Sequence, residues 1–212
     1  MAARPEGLSR SVWRLLRTPV GPGYRGYLAF GWLILVLFLV QIVTGTLLSL
    51  YYQPSPDLAP ESVRYVMRDV SWGWLIRGLH HWASFGMIAL GLLVFLRVFL
   101  QGSYRGVRAA NWYIGLCLML LVICFASSGE LLTWDDDAYW TVTRVLQKVA
   151  SVPGIGPTAA EALRGEPEVA ASTLSRIFSV HVLLLPWLTF FLVILNIWLL
   201  VQHRSKAPGQ QG

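Results

Sequence analysis

The chain has 212 residues, of which 55% are hydrophobic and only 13% charged, and its mean hydropathy is +0.55. That composition excludes an ordinary soluble domain. The formal net charge of +6 does not mark a nucleic-acid binder, because the basic residues lie between long apolar runs rather than on one solvated face, and membrane topology accounts for them.

Residues 1–25 carry Arg4, Arg10, Arg14, Arg17 and Arg25, with Glu6 as their sole acid, and SVWRLLRTP reads as a short amphipathic surface helix ending at Pro19. An uncharged run then extends from Gly26 to Pro56, and residues 27–52 are long enough to cross a bilayer at about 1.5 Å per residue. The run is too long for a secretory signal and lacks its small-residue cleavage pattern, so it reads as a retained span. Tyr51 and Tyr52 close it as interface markers. Residues 53–76 form a polar connection, with SVRYVMRDV as a short surface helix inside it. The second span covers about 76–100, with nineteen uncharged residues between Arg77 and Arg97. A basic loop, QGSYRGVR, leads to a third span over about 110–132, which contains both cysteines, Cys117 and Cys124, on one face as inert buried thiols. Residues 133–175 predict two short helices broken by VPGIGP, with the acidic run 135–137 as an N-cap region or a surface that shapes a pocket or docks a partner. The fourth span covers about 177–201, and a basic tail follows.

The expected fold is therefore all-α: a four-transmembrane-helix bundle with short surface helices in the third connection. It divides into a cytoplasmic segment 1–25, a membrane domain 26–202 and a cytoplasmic tail 203–212. The N-terminal arginines, Arg105, Arg108, Arg204 and Lys206 collect on one side, and the acids of the two long connections on the other. The positive-inside rule then places both termini in the cytoplasm, in an inner or equivalent energy-transducing membrane.

Two histidines lie inside apolar spans. His80 stands a few residues into span two and His181 a few residues into span four, and both spans begin at the outer face. An ionisable side chain at membrane depth implies function, and two imidazoles at one depth suit the axial positions of a non-covalent haem, since no CxxCH attachment motif is present. Arg77 and Arg176 precede them and are placed to meet haem propionates. Gly31 and Gly45 are fourteen residues apart in span one, as are Gly115 and Gly129 in span three; Gly45 and Gly129 fall near the outer face, level with His80 and His181, and Gly31 and Gly115 near the inner face. Fourteen residues make nearly four turns, so each pair returns to about the same helix face, where a missing side chain admits either a flat macrocycle or a close helix neighbour.

Six strings carry a resemblance to a known family: QIVTG (41–45), GWLIRGLHHW (73–82), FLRVFLQGSYRGVR (95–108), SSGELLTWDDDAYW (127–140), VPGIGPTAAEALRG (152–165) and STLSRIFSVHVLLLP (172–186). Over about residues 20–205 the chain resembles the N-terminal, four-helix half of bc-type cytochrome b, in the short, split form of the oxygenic photosynthetic complex. The resemblance implies two stacked b haems, with His80 and His181 matching the ligands of the outer one. At the inner one the sequence departs from the family. The matching ligand positions, fourteen residues after His80 and fifteen after His181, are Val94 and Asn196, neither of which replaces an imidazole. His81 points about 100° away from His80, and His203 lies beyond the span. The inner haem is expected to be absent or held by an unusual ligand, and where it is absent an inner cavity near Arg25, Arg108 and Asn196 is left for lipid or quinone. The split form's cysteine-attached haem is not expected either, because Ala29 stands at that position.

The resemblance also implies that Gly129, Trp134, Tyr139 and the VPGIGP segment border an outer quinol-oxidation site, with Glu130 and Thr133 in place of the usual tyrosine and proline. The rest of that site belongs to the family's C-terminal half, so a separate subunit is an expected partner, together with a cytochrome c or an iron-sulfur protein, quinone and lipid. The expected function is a haem b electron-transfer subunit of a membrane quinol/quinone oxidoreductase, not catalytic alone, with a haem-free structural or assembly subunit as the alternative. A transporter is disfavoured, since the spans lack broken helices at the midplane apart from Pro186.

Overall fold

A computed structural model of the protein describes residues 22–100 and 109–205. The surface helix expected over 11–19, Arg105 and Arg108 of the 101–108 loop, and the tail from 206 onward lie outside the described residues. Every regular element among the described residues is helical: α1 (Pro22–Ser49), α2 (Ala59–Arg68), α3 (Gly73–Leu100), α4 (Ala109–Leu131), α5 (Asp136–Ala150), α6 (Gly156–Arg164), α7 (Ala171–Ser179), a π turn (Val180–Leu184) and α8 (Leu185–Ser205). Among the described residues, four stretches are long and apolar enough to cross a membrane: Phe30–Ser49, Gly73–Leu100, Ala109–Leu131 and Ala171–Leu199. In lipid a helix satisfies its own backbone groups, which is why uncharged runs of this length become helices.

The four spans run antiparallel in sequence order. The end of α1 meets the start of α3, where a Cβ on Gly45 would lie 2.9 Å from the His80 ring. The end of α4 likewise meets the His181 ring, while at the opposite end Asn111 of α4 bonds Asn196 of α8. Among the spans, the most extensive packing is between α1 and α3 and between α4 and α8, with α3 against α4 joining the two pairs. Leu39, Val43, Leu93, Phe99 and Phe191 turn outward and are exposed, as a lipid-facing surface requires. Cys117 and Cys124 do share this outward surface, so the expectation of buried thiols is corrected: both are free and exposed.

The short helices form a cap over one end of the bundle, called here the loop end. Three of them bury a single stripe: Ala59, Ser62 and Val66 in α2; Ala138, Val142 and Leu146 in α5; Thr173, Leu174 and Ile177 in α7. These stripes build a core of Ala59, Leu131, Trp134, Val142, Leu146, Leu174 and Ile177. Asp135 caps α5, accepting a bond from the Ala138 N–H at 2.9 Å, and Asp136 and Asp137 fill the first turn, where acids favour the helix dipole. Gly165, at φ 85°, ends α6 in the left-handed region.

Polar bonds tie the cap to the spans. The Tyr52 hydroxyl donates to Leu132 O at 2.7 Å while its ring stacks on Phe178 at 5.3 Å. Tyr52 is thus a packed residue of the cap rather than a lipid-interface marker, and burial raises its phenol above the ordinary tyrosine range. Ser175 donates to Pro54 O at 3.2 Å and Thr173 to Arg164 O at 2.7 Å. The fourth span begins earlier than the sequence suggests, because α7 runs through the π turn directly into α8.

A two-histidine site at the loop end of the bundle

His80 lies in the third turn of α3, and His181 is the second residue of the π turn. Their ring centres are 6.4 Å apart, with the planes at 66°. Both rings are half-buried between the spans.

Two glycines make room for them. A Cβ on Gly45 would stand 2.9 Å from His80 Cε1, and one on Gly129 would stand 3.1 Å from His181 Cε1. A methyl group at Gly45 would force the ring or the helix to shift, and one at Gly129 would need the ring to give by a few tenths of an ångström, so the missing side chains let α1 and α4 come close to the rings. Gly31 and Gly115, the lower members of the two glycine pairs, have nothing within 4 Å of an added Cβ.

The residue before each glycine is a hydroxyl that meets the same ring. Thr44 Oγ1 lies 2.9 Å from His80 Nδ1, and Ser128 Oγ lies 2.8 Å from His181 Nδ1. Each hydroxyl also donates within its own helix, Thr44 to Val40 O at 2.6 Å and Ser128 to Cys124 O at 2.7 Å. The Gln41 amide donates to His80 O at 2.7 Å, and Phe125 packs edge-on against His181 at 5.5 Å. Thr44, Ser128, Gln41 and Phe125 did not stand out in the sequence. The available signal was a hydroxyl residue directly before the upper glycine on both α1 and α4.

His181 owes its placement to the π turn, in which the Leu185 N–H bonds to Val180 O. A regular helix turns by about 100° per residue, so fifteen residues overshoot whole turns by about 60° where fourteen fall short by about 40°. One inserted residue taken up as a π turn removes that difference. The fifteen-residue spacing of His181 and Asn196 therefore behaves on α8 as the fourteen-residue spacing of His80 and Val94 does on α3.

At the opposite end, the Asn111 amide donates to Asn196 Oδ1 at 2.8 Å and to Asn196 O at 3.1 Å, joining α4 to α8. One residue along from Asn111 and Val94, Trp112 stacks on Phe95 at 5.6 Å, joining α4 to α3.

The other expected site residues are spread over the loop end. Arg77 contacts the Met67 sulfur of α2 at 3.8 Å, and Arg176 donates to Ala162 O of α6, with its guanidinium against Gly165. Neither contact is with a histidine. Glu130 is exposed, its carboxylate 4.0 Å from His81 Nδ1. Trp134 is buried in the cap core with φ at 50°, and its ring meets Tyr139 edge-on at 6.1 Å. Tyr139 lines a groove of about 490 Å³ between α5 and α6, with Trp140, Leu146, Ala160 and Arg164; neither Glu130 nor Trp134 lines it. Among the described residues no group of three or more His, Cys, Asp or Glu side chains converges on one metal position. The donor set at the site is two imidazoles.

A family model described as cytochrome b/b6/petB matches residues 17–204. Cytochrome b6 of Prochlorococcus marinus strain MIT 9303 is 35% identical over 189 residues, covering 89% of this chain and 87% of the relative. Cytochrome b6 of Gloeobacter violaceus is 35% identical over 189 residues, covering 89% of this chain and 88% of that protein. Among solved structures, a chain of a hyperthermophilic respiratory Complex III superposes with a TM-score of 0.75 at 28% identity. The alignment covers 93% of this chain and 53% of that one, so the protein spans about half the length of the solved chain.

Proposed function

The chain belongs to the cytochrome b/b6 family, and on that premise we propose that it is an electron-transfer subunit of a membrane quinol/quinone oxidoreductase holding one b haem between His80 and His181. The observation that carries this reading is the pair of imidazoles themselves, at one level with centres 6.4 Å apart. A metal about 2 Å from each ligating nitrogen, with about 1 Å more to each ring centre, requires a separation of about 6 Å. Two nitrogens alone make a poor site for a bare ion but complete an iron already held in a macrocycle. When bound, a b haem supplies one-electron oxidation and reduction at its iron.

The chain's own residues do the remaining work. Gly45 and Gly129 admit the rings, and Thr44 and Ser128 occupy Nδ1 of each, leaving Nε2 as the ligating nitrogen. Arg77 and Arg176 stand on the loop-end side of the site as the nearest cations in sequence for haem propionates. The inner storey supports the single-haem count: Val94 has no donor, and Asn196 is engaged with Asn111. The subunit then offers a redox centre at one level only, so electrons enter and leave from the same side of the membrane.

The charge distribution favours a loop end facing outward and termini in the cytoplasm, in an inner or equivalent energy-transducing membrane, with segments 1–25 and 203–212 on the cytoplasmic side of a 26–202 membrane domain. A C-terminal-half cytochrome b-like subunit, a cytochrome c or iron-sulfur protein, quinone and lipid are the partners this placement calls for, and nucleic acid is not among them. Glu130, Trp134 and Tyr139 are the chain's contribution to a quinone pocket that the second subunit completes. The deciding experiment is haem analysis of the purified subunit. About one b haem per chain, with its band lost in His80→Ala and in His181→Ala, is the expected result. Two haems per chain refute the single-storey reading, and none at all favours a scaffold or assembly subunit.

A further inference from the structure

The two hydroxyls beside the histidines have a proton balance that fixes more than position. A hydroxyl carries one proton. Val40 O and Cys124 O can only accept, and they lie 2.6 Å from Thr44 Oγ1 and 2.7 Å from Ser128 Oγ. Each hydroxyl proton is therefore spent within its own helix, and a lone pair faces the ring. The ring nitrogen opposite must then be the donor: His80 Nδ1–H to Thr44 at 2.9 Å and His181 Nδ1–H to Ser128 at 2.8 Å. Both imidazoles are held as the tautomer whose Nε2 is free to bind a metal.

We infer that Thr44 and Ser128 are positioning residues that set the ring planes of both axial ligands and hold the potential of the bound haem down. This rests on the bis-histidine reading above. An N–H that donates to oxygen leaves more electron density on its ring, and the hydroxyl is a stronger acceptor because it is itself donating to a carbonyl. A more basic axial imidazole stabilises the ferric state over the ferrous. The same two bonds fix rotation about each Cβ–Cγ axis, and so maintain the 66° between the planes. The arrangement is repeated: a hydroxyl–glycine pair on α1 serves the histidine of α3, and another on α4 serves the histidine at the head of α8.

The test uses the haem-loaded protein in detergent, with Thr44→Val and Ser128→Ala as variants that remove the acceptor and Thr44→Ser as the variant that keeps it. Three quantities are read: haem per chain, the midpoint potential from a redox titration of the reduced band, and the low-spin ferric EPR signal, whose largest g value follows the angle between the imidazole planes. Thr44→Val and Ser128→Ala are each expected to raise the potential, by up to a tenfold change in the ferrous/ferric ratio, or about 59 mV for one electron. They should also shift the EPR signal, the two changes should add in the double variant, and Thr44→Ser should match the parent. Haem loss in Thr44→Val alongside retention in Thr44→Ser also supports the assignment. Fully loaded Val and Ala variants with unchanged potential and EPR overturn it, as does haem loss in Thr44→Ser. A parent protein without haem refutes the bis-histidine reading instead, so the two failures are distinct.

Discussion

Gly45→Ala adds one methyl group at the narrowest point of the site. The new Cβ would lie 2.9 Å from His80 Cε1 and 3.6 Å from Nδ1. Non-bonded carbons rest at about 3.5–4.0 Å, so the ring or α1 must give way by about 0.6–1 Å. The ring cannot retreat without stretching its bond to Thr44, 2.9 Å long, and the helix cannot retreat without loosening the best-packed pair of spans. Overpacking of this kind costs about 1–3 kcal/mol. In the haem-free chain it is partly offset, since alanine favours a helix over glycine by about 1 kcal/mol. In the loaded protein the cost falls on ligand geometry, and 1.4 kcal/mol is tenfold in affinity, so haem binding should weaken by roughly 5–100-fold. Gly31→Ala and Gly115→Ala are the internal controls, because nothing lies within 4 Å of either added Cβ. The assay is haem titration of each variant, followed by absorbance. Parent-like haem affinity and spectrum in Gly45→Ala, or haem loss in Gly31→Ala or Gly115→Ala, would refute the reasoning.

Three further outcomes follow from other parts of the molecule. Asn196→Leu removes the side-chain acceptor of the Asn111 amide between α4 and α8 and leaves only the longer bond to Asn196 O; it should lower thermal stability in detergent by about 0.5–2 kcal/mol while the haem band persists, because the bond lies at the opposite end of the bundle from the histidines. Asp135→Ala should cost about 1 kcal/mol in the same measurement through loss of the α5 cap, against about 0.5 kcal/mol or less for Asp137→Ala, whose role is confined to the helix dipole. Tyr52→Phe keeps the stacking on Phe178 but leaves Leu132 O without its donor, and about 1 kcal/mol of stability should be lost.

The spans were legible because charge-free runs of sufficient length leave a chain in lipid little choice but helix. His80 and His181 were legible for the same reason, standing out as polar groups in such runs. Gly45 and Gly129 were legible through their fourteen-residue spacing from Gly31 and Gly115 together with their depth, level with His80 and His181, and the rings do stand against that upper pair while the lower pair touches nothing. That distinction depends on which helix stands opposite. Thr44 and Ser128 were hidden by their ordinariness, since a hydroxyl on a membrane helix usually bonds only its own backbone. Tyr52 was misread because an aromatic at the end of a span looks the same whether it meets lipid headgroups or a cap folded over it. The exposure of Cys117 and Cys124 shows a general limit: a uniformly apolar span does not declare which face points to lipid and which to its neighbours.

The π turn at His181 bears on how such a chain tolerates insertions and deletions. The N-terminal part of the fourth span is fastened to the cap through α7, and its C-terminal part to α4 through Asn196. These two attachments demand different rotational settings along one rod, and the π turn is the joint that absorbs the difference. Deleting a single residue between 180 and 184 would make the rod regular and swing one attachment by about 100° against the other. With the joint in place, the two halves of the helix are free to diverge separately. Substitutions around Asn196 are then expected to carry little penalty at His181, because the rotational setting of one half of the helix no longer dictates that of the other.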